Sequence, residues 1–504
     1  MLVVGGGATG VGIAVDAAQR GYSVLLLEQS DFGKGTSSRS TKLIHGGVRY
    51  LQQGNITLVM EALRERTLLR KNAPHLVHKL AFVVPNYGWW EAPLYGIGLK
   101  VYDLLAGRYG FGSARVLSKK ETLKHIPTLK TDGLRGGVMY YDGQFDDARL
   151  LIHLVWTAFE HGATLLNYAR VVRLKKDSPG HLSGVVFEDL ETGQQHAAAA
   201  RVVINATGPF ADSLRRMDGP DTPAIMSPSQ GIHIVLDPSF LPGGTAMMVP
   251  HTRDGRILFA IPYLGATLVG TTDTPVDSPS LEPLPQEQEI DFVLETAAAY
   301  LDRKPTKDDI LSVSAGIRPL LKSSGRRATA SLSRDHSIVT SKSGLITIAG
   351  GKWTTYRRMA EDCVTHAAAR AGLEPAPCRS EDLPIHGYHE YAEAFGDMAM
   401  YGSDIPALEK LLASDPELNR PLHEALPTRA GEVLWATRFE WARTVEDFLA
   451  RRTRALLLNA RVAVEMAPTV ARLMACELGQ SAGWEDHQVR SFRELASGYL
   501  PGRE

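Results

Sequence analysis

Cysteine is nearly absent. Three occur in 504 residues, Cys363, Cys378 and Cys476, far apart and without a C-x-x-C pair. That excludes a disulfide framework and a thiolate-ligated structural zinc, and makes a reducing compartment the expectation. Charge of one sign is missing too: 55 Lys plus Arg against 56 Asp plus Glu leave a formal net charge of -1. Nucleic-acid binders carry a basic excess, so that class is disfavoured. The sequence contains no apolar run of about 18 residues, so no spanning helix is expected. Met1 is followed at once by Leu2-Val3-Val4, without the basic start of a signal peptide. The chain therefore reads as soluble or peripheral, and intracellular. Aromatics are 7% and charged residues 22%, but 44% hydrophobic residues suffice for a sizeable core. That composition argues against disorder, collagen or a coiled coil. At about 150 residues per domain, two to four domains are expected.

Glycine is plentiful, at 47. Many glycines sit in pairs or triplets beside apolar runs, the arrangement loops need where backbone approaches a ligand. The first case is Leu2-Val3-Val4 followed by Gly5-Gly6-Gly7-Ala8-Thr9-Gly10, an Ala/Val-rich helix pattern to Arg20, Gly21, and the buried-strand pattern Ser23 to Glu28. This is a β-α-β unit. Its first strand is short against the usual ~5–6 residues, so a few residues are expected upstream of Met1. Further along, 56–72 and 149–162 read as amphipathic helices, and strands are expected near 163–175, 183–188 and 201–205. Residues 231–272 read as an antiparallel sheet, 287–302 as a helix, and 336–349 as strands. Gly350-Gly351 then opens a helix to about Arg370. Pro375, Pro377 and Pro384 mark a boundary, beyond which the pattern is helical and rich in Ala, Leu and Arg.

Four segments carry chemistry. In Gly5-x-Gly7-x-x-Gly10 the first glycine permits a tight turn and the second lets backbone approach a pyrophosphate at a helix N-terminus. The third lets helix and strand pack closely, and Glu28 at the end of the next strand suits adenosine ribose hydroxyls. This marks a dinucleotide site without separating FAD from NAD. Val202 to Pro209 is a buried strand ending in Ala206-Thr207-Gly208, a turn that recurs in FAD-dependent oxidoreductases; a plain strand-end turn is the alternative. Together the two favour FAD. Gly33 to Tyr50 gathers hydroxyls, amides and two glycines in a stretch with little strand or helix pattern, as a loop wrapping a phosphate or flavin would. Gly350-Gly351-Lys352-Trp353-Thr354-Thr355 again aims backbone N–H groups and a lysine at an anion or flavin carbonyl. His386-x-x-His389 follows Pro384 and lacks acidic support, so no metal site is expected.

These segments resemble the FAD-dependent, quinone-linked glycerol-3-phosphate dehydrogenase family. The resemblance rests on Val4 to Gly21 and Gly350 to Ala360, on Lys42 to Leu51, and on Asp146-Asp147-Ala148-Arg149. It also rests on Gly270-Thr271-Thr272-Asp273, Gly316-Ile317-Arg318-Pro319 and Asp447 to Arg454. It covers nearly the whole chain, without the calcium-binding helix-loop-helix extension of mitochondrial members. The fold implied is α/β: a discontinuous Rossmann-like FAD-binding domain (1–80, 140–225, 316–380), an antiparallel-sheet substrate domain (81–139, 226–315) and an α-helical C-terminal domain (381–504).

The activity implied is oxidation of sn-glycerol 3-phosphate to dihydroxyacetone phosphate, with electrons leaving a non-covalent FAD for a membrane quinone. An oxygen-using glycerophosphate oxidase, or an amine or amino-acid oxidase, is the alternative; a non-catalytic FAD-binding scaffold is a third reading. By the family's pattern Arg49, Arg318, Arg334 and Lys352 meet the phosphate, His233 takes the C2 hydroxyl proton, and Tyr50, Thr272 and Asp273 shape the pocket. A base works best with a pKa near ambient pH, which favours histidine; His45 is the rival, though placed nearer the flavin. The cofactor is assigned to Gly5, Gly7, Thr9, Gly10, Glu28, Thr36, Ser37, Ser38, Lys42, Leu43, His45, Gly46 and Gly47. It is also assigned to Ala206, Thr207, Gly208, Gly350, Gly351, Lys352, Trp353 and Thr354. A quinone acceptor implies attachment to the inner face of the cell membrane from the cytoplasm. Trp89 to Leu105 combines interfacial aromatics, apolar residues and Lys100 as such a segment would; a buried helix is the alternative. A homodimer is left open.

Overall fold

The structure is a computed structural model that describes residues 1–47, 55–250, 252, 255–322 and 336–502. Its first layer is a six-stranded sheet in the order His336–Thr340, Ile346–Gly350, Val203–Asn205, Leu2–Val4, Leu25–Leu27, Thr164–Leu166. All neighbours are parallel except the first pair. Strands buried on both faces must be apolar throughout, and Leu2, Val3, Leu26, Leu27, Val203 and Ile204 have no exposed surface. Helices Ala8–Gln19, Asp147–Glu160 and Tyr356–Arg370 cover one face. A three-stranded sheet (Ala169–Lys176, Leu182–Asp189, Gln195–Ala199) covers the other, where Leu174, Val185 and Phe187 pack on Leu2, Val4 and Leu27. The parallel sheet thus draws its strands from distant stretches of the chain.

The second layer is a ten-stranded sheet. Ser229–Leu236 lies between Ile310–Arg318 and Ala266–Gly270, and the sheet continues through Leu258–Tyr263, Thr245–Val249, Val77–Asn86 and Gly136–Phe145. It is antiparallel apart from Thr245–Val249 against Val77–Asn86. Strands Gly136–Phe145 and Ile310–Arg318 run across the boundaries expected at 139/140 and 315/316. Alternation along Ser229–Leu236 sends Ile232, Ile234 and Leu236 into a core under helix Glu287–Tyr300. It turns His233 to the opposite side.

The C-terminal region is helical, with Ile405–Ala413, Ala430–Phe439, Ala460–Leu478 and Ala482–Ser497 around a core of its own. It also holds a hairpin, Pro421–His423 with Leu426–Arg429, where a helical pattern was expected. Arg451, Arg452 and Arg454 of this region are buried. Arg451 and Arg452 converge on Asp31, and Glu440 accepts two 2.8 Å bonds from the buried Arg149. Buried ion pairs therefore tie this region to the nucleotide-binding layer. His386 gives its two ring nitrogens to Glu160 (2.7 Å) and Asp404 (2.9 Å) and stacks on Trp156. Among the described residues no helix is long and apolar enough to cross a membrane. Among them, too, no group of three or more His, Cys, Asp or Glu side chains could hold a metal ion.

Candidate active site

The C-terminal ends of the parallel strands open into a cavity of about 480 Å³ that continues along the second sheet. Its first end is the glycine turn. Gly5 has φ +111°, and a Cβ there would meet the Ala206 carbonyl oxygen at 2.6 Å. Glu28, half-buried, accepts from the Gly6 amide at 2.6 Å and from the Ser30 amide at 2.9 Å. Burial raises its pKa, and those two amides oppose the rise. The Ala8 amide, in the first turn of helix Ala8–Gln19, points to Ser37 Oγ at 2.9 Å. The turn thus gathers amides at a helix N-terminus, where the field favours an anion.

The middle of the cavity is lined by Thr36, Ser37, Leu43, His45, the turn 206–208 and Gly350 to Thr354. Thr36 Oγ1 donates to the Ile317 carbonyl at 2.6 Å, and Trp353 Nε1 donates to the Ser37 carbonyl at 2.8 Å. The first bond ties the segment of Thr36 and Ser37 to strand Ile310–Arg318 of the second sheet, and the second ties it to the segment after Gly351. Gly350 and Gly351 have φ +81° and +77°, so the chain reverses there before helix Tyr356–Arg370 begins.

The far end is formed by the second sheet. Ser229 pairs with Arg318 across neighbouring strands, which sets His233 and Arg318 along one wall. Arg318 donates to the carbonyls of Gln230 (3.2 Å) and Thr272 (2.8 Å) and to Thr271 Oγ1 (3.0 Å), and pairs with Asp273 at 3.3 Å. Gly231 leaves room for this guanidinium, since a Cβ there would lie 2.3 Å from Arg318 Nη2. His233 is buried, with Nε2 at 2.9 Å from Thr41 Oγ1. Burial, then the positive charges of Lys42 and Arg318, push His233 down to about 3 against the opposing Asp147. The ring is therefore neutral at physiological pH and able to accept a proton. A base poised near ambient pH was expected; desolvation keeps it well below that in the ligand-free protein.

Most of the expected residues line this cavity: Gly5, Gly7, Thr9, Glu28, Thr36, Ser37, Leu43, His45, Ala206, Thr207, Gly208, His233, Arg318 and Gly350 to Thr354. Seven others lie behind the wall. Gly10 sits under the turn, where a Cβ would meet the Gly5 carbonyl oxygen at 1.8 Å; Gly46 donates to Tyr102 at 2.8 Å; Gly47 lies beside it. Ser38 and Lys42 are buried in an ion-paired cluster with Asp147. Thr272 bonds Glu289, and Asp273 holds Arg318 and Ser229. Arg49, Tyr50 and Arg334 lie outside the described residues. Arg39, Thr41 and Thr271, which fall inside the motif segments but carry no assigned role, line the cavity too, as does Arg170, which lies in none of them.

A cavity lined by an anion-favouring glycine turn and by a second glycine pair fits a dinucleotide, and its volume is that of an ordinary cofactor pocket. The comparisons with known proteins agree. The family described as FAD dependent oxidoreductase matches residues 1–357, and the C-terminal domain of alpha-glycerophosphate oxidase matches 346–488. The mitochondrial glycerol-3-phosphate dehydrogenase of Homo sapiens is 41% identical over 99% of this chain and 73% of its own length. That of Arabidopsis thaliana is 40% identical over 98% and 85%. Among solved structures, the glycerol-3-phosphate dehydrogenase of Bacillus halodurans complexed with FAD superposes with a TM-score of 0.81 at 31% identity. The match covers 99% of this chain and 94% of that one. Glycine oxidase from Geobacillus kaustophilus, at 21% identity and a TM-score of 0.54, shares the fold alone. The chain belongs to the FAD-dependent glycerol-3-phosphate dehydrogenase family.

Proposed function

We propose that this chain oxidises sn-glycerol 3-phosphate to dihydroxyacetone phosphate and delivers the electrons to a membrane quinone. FAD, when bound, supplies the hydride acceptor and passes the electrons on. The observation that carries the reading is the far wall: a neutral buried imidazole and a guanidinium held on adjacent strands of one cavity. Arg318, braced by two carbonyls and Asp273, is preorganised to hold a phosphate at a fixed place. Lys352, which also lines the cavity, adds a second positive charge. His233 takes the proton of the C2 hydroxyl as the C2 hydride leaves. Burial is the main cause that depresses His233; a dianionic phosphate beside Arg318 offsets the lesser part due to Lys42 and Arg318, and to that extent makes the imidazole a better base. The family pattern assigns Arg49, Tyr50 and Arg334 to the substrate as well, and all three lie outside the described residues. Asp273 acts by holding Arg318, and Thr272 by holding the adjoining backbone through the Ile232 amide.

Anaerobic mixing with glycerol 3-phosphate tests the activity. The flavin band should bleach with this substrate and not with glycine or proline, and should return faster with a short-chain quinone than with oxygen. No bleaching refutes the substrate; faster return with oxygen makes the chain an oxidase.

Helix Glu91–Ala106 supports the membrane reading. Tyr95, Leu99, Tyr102 and Ala106 face the core, while Leu94, Ile97, Val101 and Leu104, at helical spacing, face solvent. Trp89 and Leu104 are 78% and 80% exposed. An apolar stripe with tryptophans at its end suits the interface of a bilayer, from the cytoplasmic side. The protein should pellet with anionic vesicles. Replacing Trp89, Trp90 and Leu94 by Ser should release it with FAD retained, and unchanged pelleting would remove this helix as the anchor.

A further inference from the structure

Behind the wall that carries His233 lies a buried charge cluster drawn from three distant parts of the chain. Lys42 has no exposed side-chain surface, and its Nζ donates to both Asp147 oxygens, at 2.8 and 2.7 Å, and to the Ser38 carbonyl at 2.8 Å. Asp147 Oδ2 also accepts from the amide and hydroxyl of Ser40, at 3.0 and 2.7 Å. Arg454, from the C-terminal helical region, donates to the Ser38 carbonyl (2.9 Å) and to Asp147 Oδ1 (3.2 Å). Lys42 and Arg454 both have left-handed backbone, φ +60° and +63°. Such a conformation persists in a non-glycine residue only where surrounding contacts over-determine it.

The consequence falls on Thr41. Its neighbours Ser40 and Lys42 are both pinned to Asp147, so its hydroxyl is presented at one place, 2.9 Å from His233 Nε2 and in the cavity wall. A hydrogen bond to one ring nitrogen fixes the tautomer and orientation of an imidazole. We propose that Thr41 is a positioning residue for His233, and that the Lys42–Asp147–Arg454 cluster exists to hold Thr41 there. The C-terminal region then contributes to the active site through Arg454, at one remove from the reacting atoms. This rests on His233 being the base.

The test uses the full FAD-bound protein with Thr41→Val, which keeps shape and removes the hydroxyl, and Thr41→Ser, which restores it. Selective ¹⁵N-histidine labelling reads the His233 tautomer, its signal assigned by its loss in His233→Gln. Thr41→Val should change a single fixed tautomer into an averaged one and lower kcat on the order of 10–100-fold. KM should stay within about twofold, because phosphate binding is untouched. Thr41→Ser should recover both signal and turnover. Arg454→Met should reproduce the tautomer change without touching the cavity; should that variant not fold, the Thr41 pair decides alone. An unchanged His233 signal in Thr41→Val overturns the proposal whatever the rate does. Full turnover in His233→Gln would instead overturn the assignment of the base, so the two failures are distinguishable.

Discussion

Replacing His233 by glutamine should lower kcat by about 10²–10⁴-fold, the usual worth of a positioned general base, while leaving FAD bound. Glutamine fills much of the same space and can still bond Thr41, but it cannot take up a proton at any working pH. The cavity should tolerate the change. His233 sits in the far wall, whereas the glycine turn that fits the dinucleotide lies at the other end. Removing a neutral ring also leaves no buried charge without a partner, because burial and the nearby Lys42 and Arg318 already keep the imidazole unprotonated. KM should change little, since Arg318 keeps its bonds to Gln230, Thr271 and Thr272. The measurement is steady-state turnover beside the flavin-to-protein absorbance ratio. Near-normal turnover removes His233 as the base and passes the role to His45, the other histidine that lines the cavity among the described residues. Loss of flavin would mean the residue is structural.

Why His233 was legible and its partner was not is a matter of sequence distance. Gly5 to Gly10 with Glu28, and the turn Gly350-Gly351, are local devices: strand, glycine and helix are consecutive, so their geometry is written in a short stretch. The order of the parallel strands follows from the same kind of unit. The Thr41–His233 contact spans 192 residues, Lys42–Asp147 spans 105 and Arg454–Asp147 spans 307. A local pattern marks such residues as unusual without naming their partner. Lys42 illustrates the result. In a loop of hydroxyls and glycines a lysine reads as a cofactor ligand, yet here the fold buries it against Asp147. Asp273, placed in the substrate pocket by the family pattern, pairs with Arg318, a contact across 45 residues that no local pattern shows. The helix Glu91–Ala106 was ambiguous because apolar residues occupy both its faces, and periodicity cannot say which face meets protein.

Gly10→Ala should yield protein without flavin. Helix Ala8–Gln19 crosses the end of strand Leu2–Val4 so closely that a Cβ at Gly10 would lie 1.8 Å from the Gly5 carbonyl oxygen and 3.0 Å from its carbon. Real atoms do not approach so near, and here the neighbour is backbone rather than a side chain that could swing away. Either the helix moves off the strand or the turn 5–7 opens. Both displace the helix N-terminus on which pyrophosphate binding depends. Overpacking alone costs about 1–3 kcal/mol. The larger loss is the stabilisation that a bound cofactor gives the native state by mass action, about 4 kcal/mol at a thousandfold excess over Kd. The variant should therefore purify colourless, with a melting temperature that added FAD no longer raises. Gly483→Ala is the control: its Cβ would meet only Ser481 Oγ, at 3.6 Å, in the exposed first turn of helix Ala482–Ser497, and it should keep its flavin. A Gly10→Ala protein that retains one FAD per chain would show that the helix can shift without cost to the site. Its third glycine would then be a matter of packing alone.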